Sequence, residues 1–239
     1  ELLDWLARRF ISDGWSIKSL HRMILSSSTY QQSSTPRPET LQQDPANRWY
    51  GRAAVRRLEA EAVRDALLAA SDQLDRTQGG SLLKLKNRAY FFDHTSIDKT
   101  SYDTRRRSLY LPVVRNNVYD LFQLLDFPDP AVSTGQRSTS VVASQALLML
   151  NSDFVMQAAG HFATRLLNQS SDDNTRLEQL YQIAFGRPLT TDERRADLAF
   201  LGQVAAAQDP AKEAIQRHRE AWTTLCHVTL ATNEFIYIK

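Results

Sequence analysis

The sequence predicts a mainly α-helical fold, and three observations carry that prediction. Apolar residues recur at intervals of three and four through most of the 239 residues. The most regular segments are rich in Ala, Leu, Glu and Arg, all good helix formers. Serine, threonine, aspartate, glycine and proline fall where helices start and stop. A hydrophobic content of 42% is enough for a sizeable core. One domain over residues 1–239 is expected, with a small insert at 79–114 that is extended or β-like around 80–114.

The elements follow in order. Leu2 to Ile11 is amphipathic, and Ser16 caps a second helix that runs to Leu25. The serine- and proline-rich run Ser26 to Pro45 reads as loop. Arg56 to Leu74 is the third helix, stopped before Gly79 and Gly80. Between Ser81 and Val114 the stretches "LLKLK", "AYFF" and "SLYLPVV" are short and aromatic or β-branched, as two or three strands would be. Helical spacing returns at Val118, Leu121, Phe122 and Leu125, and Pro128 and Pro130 end it. "VVASQALLMLN" and "DFVMQAAGHFATRLLNQ" then read as consecutive helices. The next ends at Gly186 and Pro188, Thr190 and Glu193 have capping-box spacing, and Asp209 with Pro210 opens the last helix.

Composition excludes some functions. The net charge of +2 is far from the concentrated positive charge of a nucleic-acid binder, so no nucleic-acid partner is expected. No apolar run reaches about eighteen residues, so no membrane span is expected. Cys226 stands alone and cannot form an internal disulfide. Six lysines against 23 arginines suit two-pronged pairing with carboxylates or phosphates, and follow equally from GC-rich codon usage. The chain begins at Glu1 without a methionine or signal pattern, which predicts a piece of a longer protein.

The pattern breaks in three places. On a helical wheel of Arg56 to Ala70, at roughly 100° per residue, Arg57, Glu61, Arg64 and Asp65 fall on the polar side, but Glu59 falls within the apolar arc. A buried carboxylate needs a partner; Arg56 is local, and Arg115 and Arg137 are distant candidates. Val141 to Asn151 is apolar nearly all round, so Gln145 is expected to be buried and hydrogen-bonded. The third break is "LDFPDPAVSTGQRSTSV", Leu125 to Val141, a long polar crossing between apolar helices. Glu59, Arg137 and Gln145 would staple it in place. The rival reading makes Glu59 or Asp126 an acid or base, with this loop as one wall of a cleft.

Other constellations are weaker. His218 and His227 lie on nearly opposite sides of the last helix and cannot share an ion within it, and no metal site is expected. There is no Gly-x-Ser-x-Gly elbow, and Cys226–His227 lacks the rest of a haem-attachment motif. The run Arg105 to Arg107 can grip phosphate or sulfate, or form a solvated turn. Glu61 and Asp65, with Arg57 and Arg64, read as a surface ion-pair lattice.

Taken in order, "ELLDWLARRF", "DGWSIKSLHRMILSSSTYQQSS", "RRLEAEAVRDALLAAS", "RRSLYLPVVRN", "DFPDP", "RSTSVVASQALLMLNSDFV", "AFGRPLTTDE" and "LCHVTLATNEFIY" resemble one family. It is the planctomycete-specific domain of unknown function that closes large exported proteins carrying a c-type cytochrome domain. No residue role transfers from it. The resemblance implies an extracytoplasmic setting, a c-type haem elsewhere in the parent with no cofactor on this chain, and a link to degradation of complex carbohydrate. The expected function is a non-catalytic or accessory domain that packs against other domains of its parent and presents a binding surface, polysaccharide being one partner. The alternative is an extracytoplasmic carboxylate-dependent enzyme acting on polysaccharide.

Overall fold

The computed structural model describes residues 1–82, 101–115 and 117–238, and the chain divides into two compact units. One comprises residues 1–56 with 237–239, the other residues 57–236. The described residues are mainly helical, with one two-stranded sheet formed by β1 (Arg56–Arg57) and β2 (Tyr237–Ile238).

The first unit holds α1 (Leu2–Ser12), α2 (Ile17–Leu25) and α3 (Pro38–Gln43). Ser16 caps α2 by accepting the Ser19 N–H at 3.2 Å. Gly14 and Trp15 turn the chain between α1 and α2 at positive φ, and the Trp15 ring meets Phe10 edge-on at 5.3 Å. No residue of these three helices is buried. The short helix α3 lies in the stretch expected to be loop. Pro38 opens it, where a missing N–H donor costs nothing.

The second unit is built around α7 (Asp153–Gln169) and α10 (Ala214–Leu230). Their facing stripes bury Val155, Phe162, Leu166, Trp222, Leu225 and Leu230, each large side chain contributing about 1.5–3 kcal/mol on leaving water. Around them pack α4 (Ala60–Ala70), α5 (Asp120–Leu124), α6 (Ala143–Asn151), α8 (Asp173–Phe185), α9 (Thr191–Ala207) and α11 (Asn233–Ile236). Asp172 caps α8, and Gly186 ends it in the left-handed conformation a residue without Cβ adopts freely. Thr190 and Glu193 form the capping box of α9. Between them Arg187 donates to both Glu193 and Glu234, tying α11 to the α8–α9 corner.

Two expectations about elements are corrected, and a third falls outside the described residues. "SLYLPVV" contains a single 3-10 turn, Ser108–Tyr110, and no strand, because the adjacent backbone bonds instead to Asp75 in an isolated bridge. Most of "LLKLK" and all of "AYFF" lie outside the described residues. Asp209 and Pro210 open no helix: Asp209 Oδ1 accepts the Ala211 N–H in a tight turn, and α10 starts at Ala214 after Glu213.

Candidate functional site

The helix α4 begins at Ala60, four residues later than apolar spacing suggests, and this shift decides the site. Residues 56–58 are extended, with the Leu58 N–H bonded to Ile236 O at 2.8 Å. Side chains of an extended chain alternate by about 180° rather than advancing by 100°. Wheel positions for Arg56, Arg57 and Glu59 therefore do not apply.

Glu59 is the correction with most consequence. It is the N-cap residue of α4, its side chain is 65% exposed, and it sits 3.2 Å from Arg137 Nη1 at the surface. The inward residue is Arg57, expected on the polar face, with a side chain only 4% exposed. Its Nη1 donates to Gln145 Oε1 at 2.6 Å and to Ser140 O at 2.9 Å. Its Nη2 donates to Asp126 Oδ2 at 2.6 Å and to Leu125 O at 3.3 Å.

Asp126 is the hub of this network. Its Oδ2 also accepts the Ser140 N–H at 2.8 Å and Gln145 Nε2 at 3.3 Å, while Oδ1 accepts Ser140 Oγ at 2.6 Å. Gln145 is buried, and its Nε2 donates again to Ser140 Oγ at 3.1 Å. Every polar atom of the Gln145 amide is thus met by Arg57 or by the two ends of the Leu125–Val141 crossing. Burial raises the Asp126 pKa, but hydrogen bonds from Ser140 and Arg57, with the Arg57 charge, outweigh it and hold the carboxyl at about 2.

Local backbone explains why Asp126 points inward. It follows α5 with φ of 63°, the left-handed position after a helix that glycine commonly fills. The Phe127 N–H reaches back to Phe122 O at 3.0 Å, and the Phe122 and Phe127 rings stack at 5.2 Å, completing a Schellman motif with its apolar contact. Aspartate tolerates this conformation because its short polar side chain bonds locally. The helix end thereby becomes a carboxylate anchor.

A second buried arginine works differently. Arg64, also expected on the polar face, is 0% exposed because residues 104–108 cover that side of α4. It donates to Arg106 O at 2.8 Å, to Thr104 O, and to Ser108 Oγ at 3.3 Å, and lies over the Phe154 ring at 5.6 Å. Ser108 in turn donates its N–H and Oγ–H to Asp65 Oδ1, both at 2.7 Å. Of the surface ion-pair lattice expected on α4, Arg64–Asp65 remains, at 3.8 Å and with Arg64 enclosed, while Arg57 and Glu61 pair elsewhere. Glu61 pairs instead with Arg137 from the crossing loop, at 2.7 and 2.9 Å. Burial works against ionisation of Glu61, yet the Arg137 bonds leave its pKa lowered.

The candidates divide accordingly. Asp126 and Gln145 share one network, while Glu59 and Arg137 meet at the surface with Glu61. Arg56 and Arg115 are exposed and form no ion pair with a described residue. Arg57 and Ser140 are the members that sequence reasoning missed. No spacing signal marks them, because one depends on where α4 starts and the other on where the loop returns. A separate open hollow of about 390 Å³ is lined by Tyr102, Asp103, Tyr119, Asp120 and Phe154 among others, and neither Glu59 nor Asp126 borders it. Among the described residues no group of three or more His, Cys, Asp or Glu side chains is placed to hold a metal, and no helix is long and apolar enough to cross a membrane.

No curated protein and no solved structure matches the chain. Residues 1–201 match the model of a family described as PSD1, protein of unknown function (DUF1553). The matched span includes both arginine anchors and the whole Leu125–Val141 crossing, while "LCHVTLATNEFIY" lies beyond it. With more than four fifths of its length covered, this chain belongs to the PSD1 family.

Proposed function

We propose that this chain is a non-catalytic accessory domain of a larger exported protein with a haem-bearing neighbour, packing against its parent and presenting a surface to complex polysaccharide. The exported setting, the haem neighbour and the polysaccharide rest on the motif resemblance alone. The accessory role rests on Asp126. A carboxyl that serves as a general acid needs a pKa raised toward the working pH, whereas Asp126 is held at about 2 with both oxygens engaged by Arg57, Ser140 and Gln145. Its chemistry is that of an anchor.

The packing surface is on α6. This helix is apolar nearly all round, yet only Gln145 and Met149 are buried; Leu147 and Leu150 are exposed on it, as is Val141 just before it. Helices of this composition are normally enclosed, and the parent's other domains supply that cover.

The test compares two changes in the full parent protein. The pair Glu59→Gln and Asp126→Asn is expected to leave polysaccharide turnover and binding per folded molecule unchanged. Deleting residues 1–239 is expected to lower binding or parent stability. A loss of about 100-fold or more in turnover from the double substitution, at unchanged melting temperature, would overturn the accessory reading in favour of carboxylate catalysis.

A further inference from the structure

We propose an oxyanion site on the second unit, formed by Arg76 and Arg107 with Gln78, that takes a tetrahedral sulfate or phosphate group, free or as an ester. The backbone builds it. The Asp75 N–H donates to Arg105 O at 2.8 Å and the Arg107 N–H to Asp75 O at 3.3 Å, forming a parallel bridge between Asp75 and Arg106. Side chains alternate along paired extended chain, so this register sets Arg106 on one face and Arg76 and Arg107 together on the other.

The two faces are used differently. Arg106 is consumed by the protein: it donates to Thr77 O at 2.8 Å and Gly79 O at 2.6 Å and lies over the Tyr110 ring at 4.5 Å. On the other face, Leu74, Arg76, Gln78 and Arg107 line one open hollow of about 460 Å³ with Asp65, Ala66 and Ala69 of α4. Arg76 makes no hydrogen bond or ion pair with a described residue. Arg107 Nε is 3.8 Å from Asp65 Oδ2, while Asp65 Oδ1 is taken by both donors of Ser108.

Two arginines therefore open onto one hollow whose single carboxylate, Asp65, is largely engaged by Ser108. Holding like charges together is unfavourable unless an anion joins them. Guanidinium forks match the geometry of tetrahedral oxyanions, and Gln78 adds a neutral donor. A phosphate-cradling glycine loop is not needed, because both forks come from side chains.

Titration calorimetry of the folded chain tests this, with sodium sulfate, sodium phosphate, dextran sulfate and unsulfated dextran, each against sodium chloride at equal ionic strength. Saturable binding of one equivalent of sulfate or phosphate is expected. Arg76→Gln and Arg107→Gln should each weaken it about tenfold, the worth of one charge-assisted contact. Arg76→Lys, which keeps charge but loses the fork, should fall between. Arg195→Gln, an exposed arginine on α9, serves as the control and should have no effect. Preference for dextran sulfate would identify a polymer ester, and preference for the inorganic ions a free anion. Heat that chloride reproduces at matched ionic strength, or binding retained when both arginines are replaced in a protein with unchanged circular dichroism, would overturn the site. Equal binding of unsulfated dextran would overturn it too.

Discussion

Two irregular stretches of the second unit, Leu125–Val141 and residues 102–111, lie over helical packing, and each is held by an arginine near the start of α4. Arg57 meets a carboxylate, an amide and carbonyls, so its charge is matched by that of Asp126. Arg64 meets backbone carbonyls and a hydroxyl, and its only carboxylate among the described residues is Asp65, at 3.8 Å. Both leave Nε without a partner among the described residues. The difference shows two ways of burying one kind of charge. One neutralises it with an opposite charge and so depends on pH; the other solvates it with peptide dipoles and does not.

Four measurements break or sharpen that comparison. Arg64→Met should have the largest effect, about 4 kcal/mol of stability in urea unfolding, since two carbonyls and a hydroxyl lose their donor beneath a covered face. The cost should be flat between pH 4 and 8. A cost that climbs with pH would show that Asp65, rather than the carbonyls, carries Arg64.

Arg57→Met should cost about 3 kcal/mol at pH 7, because it leaves a carboxylate in a largely enclosed site without its counter-charge. Here pH matters. The folded pKa of Asp126, about 2, lies below its ordinary value of 3.8. Its ionised form therefore stabilises the fold above about pH 4, and that contribution is lost as pH falls toward 2. Without Arg57 only the Ser140 bonds oppose burial and the Asp126 pKa rises from its folded value, so the deficit of the variant should be greatest at neutral pH and smallest near pH 2 to 3. A deficit independent of pH would remove the distinction between the two arginines.

Substitutions at Asp126 separate charge from backbone. Asp126→Gly should cost about 2 kcal/mol through the lost anchor, and Asp126→Ala about 1 kcal/mol more, because alanine is strained at φ of 63°. Equal costs would place the whole effect in the network. The smallest effect is expected for Arg137→Gln, below about 1 kcal/mol and weaker in salt, since that side chain is 36% exposed and its pairing with Glu59 and Glu61 is screened by solvent. Proteolysis between Ala131 and Thr139 should quicken in this variant; a loss as large as that of Arg57→Met would make the surface staple the main one.

The demand for a polar anchor was legible, and its location was partly so. Gln145 is an amide in an apolar helix, so its burial and its need for the neighbouring loop follow from spacing alone. Glu59 was misplaced because apolar periodicity runs through Arg56–Leu58, where the chain is extended. Asp126 stands out in the sequence only as an acid or base candidate of the rival reading; nothing local says that it occupies a glycine-like position and turns inward. Arg57 and Arg64 both fell on the polar side of the wheel, since a wheel assumes that the far side of a helix faces water.

The sequence by itself determined the helical class, the caps at Ser16 and Thr190, the stop at Gly186 and the presence of a polar crossing over an apolar body. These depend on contacts within a few residues, which spacing and residue type encode directly. The tertiary structure alone decided which charges are inside. That depends on which segment covers each helix face, and coverage arises from residues 40 to 88 positions apart, as between Arg64 and Thr104 or Arg57 and Gln145.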